Sequence, residues 1–374
     1  MLRVLHTADW QIGRQFGRFA PDNALALAEA RITVIERIAA LAVQENVGAV
    51  LVAGDVFDSQ TVSDRTIRRT FNAMHGFAGP WIMIPGNHDA ALAESVWHRA
   101  IRLGAIPSNI RIALEPEVMT FSELGFAVLA APLTQRQTYS DLTDWFDGAE
   151  TAPGLHRIGL AHGSMQGVLA EDIDSPNPIA ANRAQQARLD YLALGDWHGC
   201  KQIDGLTWYS GTPEQERFKD NAAGHVLIVD LPGIGMPPQV QPQLVGQHQW
   251  HQWRERITVA SDLDQLLERL IAQPASTVLD ISLTGEIDLA GQQRLLQALA
   301  VAEARYRSLQ CDITDLRLEP TDEDIAGLQA DGYVGEVIAE LRELQHVESA
   351  ETARDALAIL ANLLRERHSQ GSQA

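Results

Sequence analysis

Short apolar runs that stop at polar, often glycine-bearing turns recur through the first 231 residues. "MLRVLHTAD" reads as a strand, with Leu2, Val4 and Leu5 apolar. "NALALAEARITVIERIAALAVQEN" then sets Leu25, Leu27, Ile32, Val34, Ile35, Ile38 and Leu41 at helical spacing, with no internal Pro or Gly, and predicts an amphipathic helix. "VGAVLVAGD" and "WIMIPGNHD" are runs of the length and composition of buried strands. "FAVLAAP", "HRIGLAHG" and "LDYLALGDWHG" end in the same manner, and "GHVLIVDL" closes the series. Strands alternating with helices predict an α/β fold, in which sites form at the carboxyl ends of strands. Five of these ends carry Asp, Asn or His and are expected to converge.

The pattern changes after residue 231. Residues 232–246, "PGIGMPPQVQPQLVG", are rich in Pro, Gly and Gln and read as a linker or domain edge. Beyond them, over 247–320, lies a small α+β unit. Its expected elements are "RITVA" (strand), "SDLDQLLERLIAQ" (helix, Ser261 as N-cap), "TVLDISLTG" (strand), "LAGQQRLLQALAVAEARYR" (helix) and "CDITDLRLEP" (strand). Residues 321–374 turn helical and acidic, with Asp322, Glu323, Asp324, Asp331, Glu336, Glu340, Glu343, Glu348 and Glu351. Val334, Val337, Ile338 and Leu341, then Leu357, Ile359, Leu360, Leu363 and Leu364, predict two amphipathic helices. These pack on their own domain or dock a partner.

Composition narrows the setting. The formal net charge is −20, so any grip on nucleic acid must come from local arginines, metal ions or a partner rather than from a basic surface. The local basic clusters are Arg14 with Arg18, then Arg65, Arg68 and Arg69, then Lys201, Arg217 and Lys219, and each reads first as solvated surface. Two cysteines, Cys200 and Cys311, make no disulfide framework and fit a reducing cytoplasm. No basic region followed by an apolar stretch opens the chain, and no apolar run has the length of a membrane span, so neither a signal peptide nor a membrane segment is expected.

The strand ends supply, in order, Asp9 and Gln11 in "ADWQIG", Asp55 in "GDVFD", Asn87 and His88 in "PGNHD", His162 in "AHG", and Asp196 and His198 in "GDWHG". A pair of divalent cations about 3.5–4 Å apart needs such oxygen and imidazole donors on rigid strand ends, with one carboxylate bridging. Asp, Asn and neutral His suit Mn²⁺, Fe²⁺ or Zn²⁺ rather than a purely Mg²⁺- or Ca²⁺-type cage. Gly54, Gly86, Gly163 and Gly195 beside them let the backbone turn. Taken singly each motif is weak; five in order at strand ends are a strong sign of a dimetal site.

The order and wording resemble the calcineurin-like metallophosphoesterase superfamily. Within it, "LHTADWQIG", "GDVFD", "PGNHD", "YLALGDWHG" and "WYSGTPEQERF" resemble the SbcD-type nuclease subunits of bacterial SbcC–SbcD double-strand-break repair complexes. The likeness covers residues 1 to about 230. It implies a layered α/β/β/α metallophosphoesterase sandwich (1–231), with 247–320 in the place of a capping domain and the C-terminal helices in the place where relatives dock on a coiled-coil ATPase. It implies that Asp9, Gln11, Asp55 and His198 surround one metal and Asp55, Asn87, His162 and Asp196 the other. His88 would stand beside the scissile phosphate as a catalytic group, with Asp58 and Asp89 orienting the ligands from behind. His6 and Cys200 are expected to be packing residues. A homodimer formed through "SDRTIRRTFNAMHGF" is a further implication.

At two ligand positions this sequence departs from the family, which usually has His where Gln11 and Asp196 stand. Asp9, Asp55 and Asp196 then supply three carboxylates, a harder and more anionic set that favours Mn²⁺, with Fe²⁺ next, over Zn²⁺. The expected function is a cytoplasmic, metal-dependent DNA repair exonuclease acting with an SbcC-type ATPase. The alternatives are a phosphodiesterase or phosphatase for small substrates, which the acidic charge suits, and a catalytically weakened scaffold, for which Gln11 and Asp196 would be marks of loss.

Overall fold

The computed structural model describes residues 1–167, 176–321, 333–344, 352–353, 355–360 and 363–364. The chain forms two compact units, Met1–His248 and Gln249–Ala374.

The first unit runs β1 (Leu2–Thr7), α1 (Pro21–Gln44), β2 (Ala49–Ala53), α2 (Asp64–Ala73), β3 (Trp81–Ile84), α3 (Val96–Arg102), β4 (Ile110–Ile112), β5 (Glu117–Phe121) and β6 (Phe126–Ala131). It continues through β7 (His156–His162), β8 (Ser164–Met165), β9 (Pro178–Ile179), α4 (Arg183–Gln186), β10 (Tyr191–Gly195), β11 (Lys201–Gln202), β12 (Thr207–Tyr209), β13 (His225–Leu231) and β14 (Gln239–Leu244). Two six-stranded sheets result, in the orders β14-β13-β1-β2-β3-β4 and β11-β12-β10-β7-β6-β5. Strands β1 to β4 are mutually parallel, as are β6, β7, β10 and β12.

The period-2 alternation of a strand explains the layering. In β2, Val50 and Val52 join Ile35 and Ile38 of α1 and Phe71 of α2 in one core, while Leu51 faces the other way. On that second side Val4, Leu51 and Ile82 of the first sheet meet Phe126, Val128, Ile158 and Tyr191 of the second. A third cluster, with Leu129, Leu192 and Leu194, covers the outer face of the second sheet under Phe146 and Ala184. The architecture is the expected α/β/β/α sandwich, with a thin outer layer on the second sheet: the single turn of α4 and the 3₁₀ turn Asp144–Asp147. Truncating a side chain in the middle core, such as Leu51→Ala, would cost about 2–5 kcal/mol.

The Pro/Gly/Gln-rich stretch is more than a linker. Its Gln239–Leu244 part is β14, paired antiparallel with β13 at the sheet edge, where Pro242 is tolerated because an edge strand need not donate on both sides.

The second unit is β15 (Gln249–Ile257), α5 (Ala260–Ala272), β16 (Thr277–Ile287), α6 (Leu289–Arg305) and β17 (Ser308–Leu318), a parallel sheet in the order β15-β16-β17. Leu263, Leu266 and Leu270 of α5 and Leu295 of α6 bury against Leu279, Ile281 and Leu283 of β16. Ser261 is not the N-cap of α5. The helix starts two residues earlier, at Ala260, and Asp262 accepts from the backbone N–H groups of Thr258 (2.8 Å) and Val259 (3.0 Å) instead. A carboxylate in the first helical turn satisfies open donors and suits the helix dipole at once. Further on, α7 (Tyr333–Leu344) buries Ile338 in a cluster with Leu357, joined by Val334, Leu341, Leu360 and Leu364. Asp322, Glu323, Asp324, Asp331, Glu348 and Glu351 lie outside the described residues. Among the described residues no helix is long and apolar enough to cross a membrane.

Candidate metal centre

Parallel strands deliver their carboxyl ends to one edge of each sheet. Asp9 follows β1, Asp55 follows β2, Asn87 and His88 follow β3, His162 ends β7, and Asp196 and His198 follow β10. Ligand atoms of Asp9, Asp55 and His162 lie within 4.8 Å of one another, and all three residues are buried.

Hydrogen bonds carried past the strand ends set the first corner. The N–H groups of Asp9, Gln11 and Ile12 donate to the carbonyls of Gly54, Asp55 and Val56 at 3.0, 2.9 and 2.8 Å. Trp10, between the two candidate ligands, is anchored by its indole N–H on Thr7 Oγ1 (3.0 Å) and meets Trp81 edge-on. Asp9, Gln11, Asp55 and Asp196 all adopt positive φ, at 53°, 50°, 53° and 103°. Four non-glycine residues in a sparsely populated region, all at one place, are strain held by the surrounding fold, and such strain clusters at functional sites.

His162 shows how the tautomer is chosen. Its Nδ1–H donates to the Ala53 carbonyl at 2.8 Å, which turns Nε2 toward Asn87 Oδ1 (3.3 Å), Asp55 Oδ1 (3.6 Å) and Asp196 Oδ1 (3.8 Å). The ring fits only because its neighbours lack Cβ atoms. A Cβ on Gly54 would lie 2.4 Å from Nδ1, and one on Gly86 would lie 2.3 Å from Asp55 Oδ1. At these positions the glycines serve close approach as well as turning.

His198 is oriented in the same way. Its Nδ1 meets Glu216 Oε1 at 2.5 Å, and its Nε2 lies 4.0 Å from Asp9 Oδ1. Asp9 also accepts from the backbone N–H of Asp196, at 3.1 and 3.2 Å. His88 donates its backbone N–H to Asp55 Oδ1 (2.9 Å) and its Nδ1–H to the carbonyl of Asp58 (2.9 Å), leaving Nε2 available on a half-buried ring. Asp89, fully buried, ties two ligand loops together by accepting from Phe57 N–H (3.0 Å) and Gly86 N–H (2.7 Å). Asp58 acts on His88 through its backbone, while its carboxylate faces Arg14 at 3.4 Å. Outside the cluster, buried His6 bonds Tyr191 Oη (2.9 Å) and the Leu194 carbonyl (3.2 Å), and Cys200 packs against the core between the sheets.

Two residues that reading the sequence missed hold the site together. Arg31, 1% exposed on α1, donates Nε to the carbonyls of Trp10 (3.0 Å) and Gln11 (3.2 Å). Its other nitrogens reach the Glu214 carbonyl (2.8 Å), Thr212 Oγ1 (3.2 Å) and Glu216 Oε2 (3.2 Å). One guanidinium thus clamps the Asp9 corner to the loop that orients His198. Its signal was a charge at i+4 from Leu27 and i−4 from Ile35, on the buried stripe of the helix. Glu216 is the second, inside the quoted "GTPEQERF" but not singled out there.

The electrostatics favour a cation. Burial raises the pKa of Asp9, and the nearby Asp55 and Asp196 add to this against the pull of His198 and His162. Burial alone would depress His162, but Asp55, Asp9 and Asp196 outweigh it and raise its pKa. Burial raises Asp196 as well. Carboxylates crowded together out of water, where the charged form is disfavoured, describe a cavity suited to metal ions. Gln11 gives an independent test. Its Nε2 donates to Asp55 Oδ2 at 2.7 Å, and its buried Oε1 has no hydrogen-bond partner. Turning the amide over would set its oxygen against a carboxylate, so the orphan is the oxygen, an acceptor awaiting a cation. The residues present fit divalent metal ions.

Fold and site together define a metal-dependent hydrolase of phosphate esters. The calcineurin-like phosphoesterase family model matches residues 2–229, and the chain belongs to that family. It is 37% identical to the SbcD component of the nuclease SbcCD of Rhodobacter capsulatus over 285 residues, 64% of this chain and 69% of that one. To the SbcD component of the same nuclease from Bacillus subtilis it is 24% identical over 266 residues, 61% and 66% of the two chains. To the DNA double-strand break repair protein Mre11 of Methanosarcina acetivorans it is 23% identical over 248 residues, 63% and 38% of the two chains.

Proposed function

We propose that the chain is a DNA repair exonuclease of the SbcD type, hydrolysing phosphodiesters with two divalent cations. Mn²⁺ is the preferred metal and Fe²⁺ the second. The observation that carries the reading is the convergence of five strand-end motifs on one buried, carboxylate-rich cluster with an orphaned amide oxygen. The names of the relatives support DNA as the substrate.

Asp9, Gln11, Asp55 and His198 would hold one cation and Asp55, Asn87, His162 and Asp196 the other. Bound divalent cations supply Lewis-acid polarisation of the phosphoryl group and an acidified water. The protein's own part is to aim these groups and to move a proton. Glu216 keeps His198 Nε2 facing Asp9, and the Ala53 carbonyl keeps His162 Nε2 facing Asp55. His88, fixed by Asp55 and by the Asp58 carbonyl, presents Nε2 to protonate the leaving oxygen or to stabilise its developing charge.

In this reading the enzyme works in the cytoplasm as a homodimer through the α2 region, with an SbcC-type coiled-coil ATPase on the C-terminal helices. Tyr333, Ile359 and Leu363 are 78%, 61% and 58% exposed there, which suits a docking surface. The test is hydrolysis of bis(p-nitrophenyl) phosphate by Mn²⁺-loaded protein with linear duplex DNA as competitor, alongside cleavage of the duplex itself. Cleavage with competitive inhibition is the expected result. Brisk hydrolysis of the small ester with neither cleavage nor competition would replace the nuclease by a small-substrate phosphodiesterase.

A further inference from the structure

The chain contains only two lysines, Lys201 and Lys219, among 29 basic residues. Both lie over the same ring. The Nζ atoms of Lys201 and Lys219 are 5.0 and 4.6 Å from the ring centroid of Trp197. Trp197 stands in the chain between Asp196 and His198, two of the candidate ligands, and its ring packs against the cluster on the outer face of the second sheet.

Capping an aromatic ring does not by itself call for lysine. Elsewhere this chain does it with arginine: Arg18 lies over Phe19 and Phe218 at 4.8 and 4.6 Å, and Arg269 over Trp253 at 4.3 Å. Nor are the lysines held by acids. Among the described residues neither pairs with a carboxylate, whereas the neighbouring Arg14 and Arg217 both face Glu216, at 3.1 and 3.4 Å. Both of these arginines thus face a carboxylate, and among the described residues neither lysine does. A compact ammonium on a flexible stem can leave a ring for a phosphate, and the indole it uncovers is a stacking surface for a base. A net charge of −20 and a cluster of carboxylates repel a polyanion, so cations at this place answer a need.

We infer that Trp197, Lys201 and Lys219 form the subsite that grips the DNA strand beside the scissile phosphate. The lysines take backbone phosphates, and Trp197 stacks the adjoining base. The inference rests on the nuclease reading above and names the residues through which that site would hold its substrate.

The small number of lysines makes the test direct. Reductive methylation with ¹³C-formaldehyde keeps their charge and labels the full chain at two side chains and the N-terminus. In metal-free protein both lysine signals should be shifted by the ring current of Trp197 and should move when linear duplex DNA binds, binding being followed separately by fluorescence anisotropy. Changing Lys201→Gln and Lys219→Gln together, at surface positions that leave the core intact, should raise KM for the duplex about tenfold. The same pair should make the plot of log affinity against log salt shallower by about 1.8, the slope of two phosphate contacts. Trp197→Leu should abolish the ring-current shift and weaken duplex binding. Signals that stay still while the duplex binds, or an unchanged salt slope in the double variant, would overturn the subsite and leave the nuclease reading standing. Absence of both duplex binding and cleavage would overturn the two together.

Discussion

Gln11 donates its side-chain amide to the carboxylate of Asp55 across 2.7 Å in a fully buried setting, and so one of the two residues that depart from the family pattern touches the expected bridging ligand. This contact bears on whether the site is retuned or lost. An amide that clamps Asp55 and keeps its oxygen unpaired retains a donor for a cation, though a neutral and weak one. Gln11→His should therefore increase the metal retained after dialysis. Equal retention by the two proteins, measured by elemental analysis, would mean that position 11 is not a ligand.

Glu216 stands behind His198 much as a carboxylate stands behind a metal-bound imidazole in other enzymes. Burial would raise its pKa, but the hydrogen bond to His198 and the charges of Arg31 and Arg14 bring it down to about 2. Glu216→Gln keeps the shape and removes the charge. We expect metal affinity to fall about 10–100-fold, read by calorimetric titration with Mn²⁺.

Arg31 is the structural counterpart. With its side chain and that of Glu216 each 1% exposed, Arg31→Met would remove the one fully buried cation facing Glu216, which keeps His198, Arg14 and Arg217, and would take its donor from the Trp10 carbonyl. Urea unfolding should show a loss of about 1–3 kcal/mol. A loss under about 1 kcal/mol would mean that the clamp between the Asp9 corner and the Glu216 loop is dispensable.

His6 gives the protein an acid limit of its own. Burial lowers its pKa from 6.5 to about 3, so it stays neutral in the folded chain where the unfolded chain takes up a proton. Its contribution to stability is complete above pH 6.5 and declines as pH falls toward 3, by about 1.4 kcal/mol per unit. Urea unfolding of metal-free protein at pH 5, 6 and 7 should show that slope, and His6→Asn should flatten it.

The strand ends were legible in the sequence because each motif is local: an apolar run, a turn and a donor within a few positions. Their convergence followed from the rule that parallel strands deliver their carboxyl ends together. Arg31 and Glu216 escaped because their meaning is a contact across 185 residues, though an arginine on the apolar stripe of α1 was visible as an anomaly. The double duty of Gln11 could not be read at all, since it depends on which end of one amide finds a partner. Lys201 and Lys219 looked like ordinary surface charge until the fold set both on Trp197.

A site carrying Gln11 and Asp196 is proposed above to be a working nuclease centre. Its most direct measurement is Mn²⁺-dependent cleavage of linear duplex DNA by the wild type, Gln11→His and His88→Ala, side by side. The wild type is expected to cut, and His88→Ala to be slower by about 10²–10⁴. Cleavage by Gln11→His alone would contradict the claim and make the natural protein a scaffold that has lost its chemistry.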